Sequence, residues 1–207
     1  MGVARVALLL ALVGGTAHAE VDWARGFVTA DGVGVADRHA PSPAVARGTS
    51  RRGAEDAARA AITAQLPAIP LAAGGTLGDR MTDPAAKARV DHAVEAALAL
   101  AADPQTDGAW RVTLGVPIEA LRQAVDGPRA VTASDGDPPI VIVEGAAATR
   151  AVGWQIGGKP ATTVWVKSVP AWAKDAPRAK VTAAQHGSLD LTAPAGGPAT
   201  LYVIVAK

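Results

Sequence analysis

The chain has 207 residues, no cysteine, and 20 Lys and Arg against 19 Asp and Glu. Without thiols there are no disulfide staples and no thiolate zinc sites, so apolar packing must hold the fold, and a chain of this length buries enough surface to do so. The near-neutral balance, with bases spread along the chain, excludes the concentrated basic stripe that a nucleic-acid surface needs.

The N-terminus reads as an export signal. Arg5 supplies a positive n-region, Val6 to Val13 is an unbroken apolar run, and Gly14, Gly15 and Thr16 interrupt any helix. Ala17-His18-Ala19 then offers the small residues a signal peptidase accommodates, so cleavage after Ala19 and a mature start at Glu20 are expected. The run is too short to span a bilayer, and no later stretch is long enough. A periplasmic or secreted location follows. His18 would leave with the signal.

From Val21 to Ala36 apolar residues favour odd positions, as in a half-buried strand. Asp31-Gly32 signals either a tight hairpin or one strand with a bulge. Gly26, Gly32 and Gly34 do not make a phosphate loop, because no Gly-Lys-Ser/Thr follows. Arg38 to Gly48, with Pro41 and Pro43, is expected to be a loop, and Thr49 or Ser50 to cap a helix. That helix buries Ala54, Ala58, Ala61, Ile62 and Leu66 and ends at Pro67. Ile69 to Leu71 suggests a short strand and Gly74-Gly75 a turn. A second helix starts from a Thr82 or Asp83 cap with Pro84 in its first turn, and buries Val90, Ala93, Val94, Ala97, Leu98 and Ala101. Trp110, Val112, Leu114 and Val116 alternate strictly as the inner face of a strand, and Ile118 to Val125 adds a helical turn or two.

Gly127-Pro128, Asp135-Gly136-Asp137 and Pro138-Pro139 mark residues 127–139 as a linker between a first unit, 20–126, and a second, 140–207. Beyond it the periodicity is that of strands: Ile140 to Val143, Ala161 to Val169, Ala179 to Ala183, Ser188 to Thr192 and Leu201 to Val205. The fold class is therefore α+β, an N-terminal antiparallel sheet with two Ala-rich helices followed by a small β-rich unit.

The first half resembles a known family. Asp31-Gly32-Val33-Gly34, the Ala-rich helix that follows, and Asp107-Gly108-Ala109-Trp110 running on to Pro117 carry the likeness. It is to the twenty-kilodalton membrane-associated lipoproteins, whose fold is shared with the N-terminal domain of flagellar assembly protein T. The likeness spans Val21 to Val125. It implies an envelope protein of structural or assembly type, and it brings no catalytic residues. Those lipoproteins carry a lipidated Cys after the signal. This chain has none, which favours a free form without a lipid anchor.

Candidate chemistry is sparse. His39, His92 and His186 remain after cleavage. Only His92 has an acid one helical turn away, Glu95, with Asp91 next to it on the same helix, and a zinc site needs three or four ligands. No Ser lies in a nucleophile elbow, and no acid–base pair is assigned to His186 and the Gly187-Ser188 that follows it. The acids of the first half fall on helix faces, caps and turns. No catalytic, cofactor or metal residue is assigned. Trp154, Trp165 and Trp172 have the most functional reach, since an exposed Trp stacks on a sugar or anchors a partner. Trp165 lies among Val164 and Val166 as a core residue would. Trp172 lies in a loop with Lys174, near Arg178 and Lys180. An exported, non-enzymatic interaction protein is the leading expectation. A cell-wall glycan-binding module is the alternative and a periplasmic hydrolase the third.

Overall fold

The computed structural model describes residues 18–128, 139–192, 196–197 and 199–206. It is α+β. The first sheet is antiparallel, in the order β1-β2-β4-β3. It is built from β1 (Ala19–Asp22), β2 (Phe27–Gly34), β3 (Leu98–Pro104) and β4 (Trp110–Pro117). Helices α1 (Pro43–Gln65), α2 (Leu77–Arg80), α3 (Pro84–Glu95) and α4 (Ile118–Asp126) complete this half.

Asp31-Gly32 is not a turn. Strand β2 runs straight through it, paired residue for residue with β4 from Phe27–Pro117 to Gly34–Trp110. The two glycines serve helix packing. A Cβ on Gly32 would stand 1.9 Å from the Ala54 carbonyl oxygen, and one on Gly34 would stand 1.7 Å from that of Ser50. Helix α1 therefore lies against the bare backbone of β2, with Ala54, Ala58 and Ile62 fully buried. The turn falls earlier, at residues 23–26. There the Asp22 carboxylate accepts from the Ala24 and Arg25 amides at 3.1 and 3.0 Å, and Gly26 takes φ +74°.

Two helix boundaries differ from expectation. Helix α1 starts at Pro43 rather than near Thr49. Ser42 caps it, accepting from the Val45 amide, and Pro43 fits the first turn because its missing N–H has no partner there anyway. The helix that follows Asp83 stops at Glu95. Leu98 to Pro104 becomes β3, paired with β4 and bulged between Ala99 and Ala101. Pairing with β4 outweighs the helical preference of the Ala-rich run.

The second sheet has the order β7-β6-β10-β9-β5-β11-β8. Its strands are β5 (Ile140–Ala146), β6 (Gln155–Ile156), β7 (Lys159–Pro160), β8 (Thr162–Val166), β9 (Arg178–Gln185), β10 (Ser188–Leu191) and β11 (Leu201–Ala206). Strands β9, β5, β11 and β8 run parallel to one another. That explains the unbroken apolar runs, because both faces are covered. Tyr202 and Ile204 enter one cluster with Trp154, Trp165 and Leu189, while Val203 enters another with Val164, Val166 and Ala173.

The expected linker includes residues 129–138, which lie outside the described residues; Gly127 ends α4 with φ +86°. The halves also meet directly. The Trp165 amide donates to the Trp23 carbonyl at 2.8 Å, and Val152 exchanges backbone bonds with Pro70 and Ala72 at 2.9 and 2.8 Å. Val152 is part of the first core, and Trp23 packs against both.

Candidate interaction surface

The three tryptophans singled out in the sequence do not form one surface. Trp154 and Trp165 are core residues, 6% and 1% exposed, with ring centroids 6.1 Å apart. The Trp154 indole donates to the Thr149 carbonyl at 3.3 Å. Both are removed from the proposed surface for a plain reason: a chain with seven aromatic side chains fills the core of its second sheet with the largest. Trp172 is 58% exposed, in a 3-10 turn (Ala171–Ala173) whose Ala173 seals the cluster beneath. Lys174 beside it is exposed.

His92 and Glu95 stand 3.9 Å apart on the exposed side of α3, and His39 is exposed. His186 occupies the β9–β10 turn at φ +47°, two residues from Ser188. Among the described residues no three His, Cys, Asp or Glu come together in a way that could hold a metal ion. No helix among them is long and apolar enough to cross a membrane.

The larger surface lies on the first sheet. Its inner face, Val28, Ala30, Val112, Leu114 and Val116, is sealed by the helices. Its outer face has no helix. The registers place Glu20 and Asp22 of β1, Phe27, Thr29, Asp31 and Val33 of β2, and Arg111, Thr113, Gly115 and Pro117 of β4 on that side. Leu98 pairs with Gly115 there. Leu100 closes in as well: a Cβ on Gly115 would meet its Cδ1 at 2.7 Å and that of Phe27 at 3.0 Å. The face is thus apolar at Phe27, Leu98 and Leu100, and polar at Glu20, Asp31 and Arg111. Leu98 is 51% and Val33 50% exposed.

The edge of this face is β3. Its seven residues pair only with β4. Among the described residues the one further bond drawn to its backbone comes from the Gln105 side chain to the Asp103 carbonyl, 3.3 Å. The other long edge in the molecule is treated differently, because β8 is met by the Trp23 carbonyl. Native proteins usually blunt long edges with Lys, Pro or a covering loop. The central residues of β3, Ala99 to Ala102, carry no such group; the bulge is its one irregularity.

Sequence reading missed this edge by extending α3 across Leu98 and Ala101. A signal was present. Asp107-Gly108 with strict alternation after it is a hairpin pattern, and the chain does turn there: the Gln105 amide donates to the Ala109 carbonyl at 2.8 Å. No protein-family model matches this chain, and no curated protein matches it.

Proposed function

We propose that this is an exported, non-catalytic envelope protein that works by binding another protein, and that β3 with the outer face of its sheet is the contact. The observation that carries the reading is the seven-residue edge, which among the described residues is left uncovered from Leu98 to Ala102 and is bordered by Leu98, Leu100 and Phe27. An extended partner segment added to such an edge gains main-chain hydrogen bonds, while neighbouring apolar side chains select its sequence. The export signal expected at residues 1–19 and the resemblance of the first half to envelope lipoproteins support a periplasmic setting. The lack of a Cys after the signal supports a free form.

Site-specific photo-crosslinking in cells tests this. A crosslinker at Leu98 or Ala102 is expected to capture a defined protein, and one at Thr63 on the exposed side of α1 to capture none. Replacing Ala99 and Ala101 with Lys should abolish the adduct formed at Leu98. Equal capture at positions 98 and 63, or none at β3, would overturn the reading.

A further inference from the structure

Where β1 and its turn meet the second sheet, a cleft of about 330 Å³ is lined by Glu20, Val21, Asp22, Trp23, Ala24, Arg150, Trp165 and Lys167. This volume is at the small end of ligand clefts. Three features distinguish it from ordinary surface. First, Trp23 is only partly buried although it packs against both cores, so aromatic surface remains at a fixed position. Second, the cleft holds two carboxylates and two cations that do not neutralise each other. Asp22 uses one carboxylate oxygen to accept from the Ala24 and Arg25 amides and reaches the Arg25 side chain with the other only at 4.0 Å, and among the described residues Glu20, Arg150 and Lys167 form no ion pair. Third, Trp165, 1% exposed, lines the cleft as well, so a second and immobile tryptophan borders it.

We infer that this cleft is a saccharide-binding site. A sugar hydroxyl both donates and accepts. One ring therefore uses the carboxylates of Glu20 and Asp22 as acceptors and Arg150 and Lys167 as donors. The less polar C–H face of the ring packs on Trp23, whose side chain brings large apolar area at small entropic cost. The backbone bond between the Trp165 amide and the Trp23 carbonyl, 2.8 Å, ties the two main chains together beside the cleft. Trp172 is more exposed, but it lies on a turn with no part in this cleft and is not assigned to the site. The inference is independent of the β3 contact, and its test does not touch that strand.

The probes are the tetramers of N-acetylglucosamine and of β-1,4-linked glucose, titrated into the mature protein and followed by amide and indole NMR. Saturable binding of at least one tetramer is expected, shifting the signals of Trp23, Arg150 and Lys167 and the Trp165 indole N–H. Arg150→Ala with Lys167→Ala, both exposed and structurally undemanding, should weaken binding by about tenfold or more. Trp172→Ala should leave it unchanged. The inference is overturned if neither tetramer saturates, if affinity survives the double variant in a folded protein, or if the shifts centre on Trp172.

Discussion

The contact between α1 and the glycines of β2 gives the sharpest test of the fold. Gly34→Ala places a methyl carbon 1.7 Å from the Ser50 carbonyl oxygen. An unstrained C···O contact is about 3.3 Å, so the helix must lift by roughly 1.6 Å at that point. A gap of even ~1 Å forfeits up to about half of the dispersion energy across it. Ala54, Ala58 and Ile62 lie on the same stripe of α1 and are fully buried, so the loss spreads along the helix. Overpacking costs about 1–3 kcal/mol at ordinary sites; here, with carbonyl groups as the obstacle, roughly 3 kcal/mol is expected. For a chain of this size that lowers Tm by about 6–12 °C. Gly48 supplies the control. It lies inside the same helix with nothing within 4 Å of an added Cβ, so Gly48→Ala should stabilise by ~0.5–1 kcal/mol through helix propensity. Urea and thermal unfolding followed by circular dichroism measure both. A Gly34→Ala variant within about 0.5 kcal/mol of the parent would refute the close approach, since ordinary surface substitutions fall in that range.

Arg122 is 2% exposed, and its guanidinium donates to both carboxylate oxygens of Glu119 at 3.1 and 2.9 Å. Glu119→Ala strips that partner from a buried cation and should cost roughly 3 kcal/mol in the same unfolding assay, whereas Gln123→Ala nearby should cost little. Trp165→Ala should destabilise by about 3–5 kcal/mol, while Trp172→Ala should change stability by less than about 0.5 kcal/mol. Acrylamide quenching should find its most accessible indole missing in the Trp172→Ala protein alone. N-terminal sequencing of the exported protein should begin at Glu20, a cut that removes the Ala19–Ala30 pair from the end of β1. A start at or before His18 would contradict the proposed signal.

Much of the architecture was legible because period-2 alternation and helix caps are local signals. The strand at Trp110–Pro117, the helix after Asp83-Pro84 and strands β5, β8, β9, β10 and β11 can be read directly from the chain, whereas the two-residue β6 and β7 carry no such signal. The errors arose where a local signal had two physical meanings. Asp-Gly marks a turn at residues 107–108 but lies within a strand at 31–32, where glycine is required by the helix above rather than by φ. Pro43 suggests a loop until Ser42 is recognised as a cap. Ala-rich sequence suits a helix, yet Leu98 to Pro104 takes its conformation from β4, twelve residues or so away along the chain. The surface was less legible than the fold. Trp172 lies in a turn of the kind its neighbours suggest, but the cleft around Trp23 depends on Arg150 and Lys167, which are distant in sequence and meet it only through the docking of the two sheets.

That docking bears on the proposed function. A free sheet edge is a hazard to a soluble protein, because its unpaired backbone is a template for any extended chain. The molecule covers one such edge: β8 receives the Trp23 carbonyl, and the same turn brings Gly26 against Val164. The edge at β7 is only two residues long and that at β1 only four, too short to offer much pairing. Strand β3 is the exception, with seven residues, small or apolar side chains at its centre, and Leu98 half exposed beside it. Composition does not force this, since one Lys among the four central residues would blunt the edge without disturbing the helices on the opposite face. Among the described residues, one edge left open while the others are closed or short is what supports the proposed partner strand, and the identity of the captured chain is what the crosslinks at positions 98 and 102 would read out.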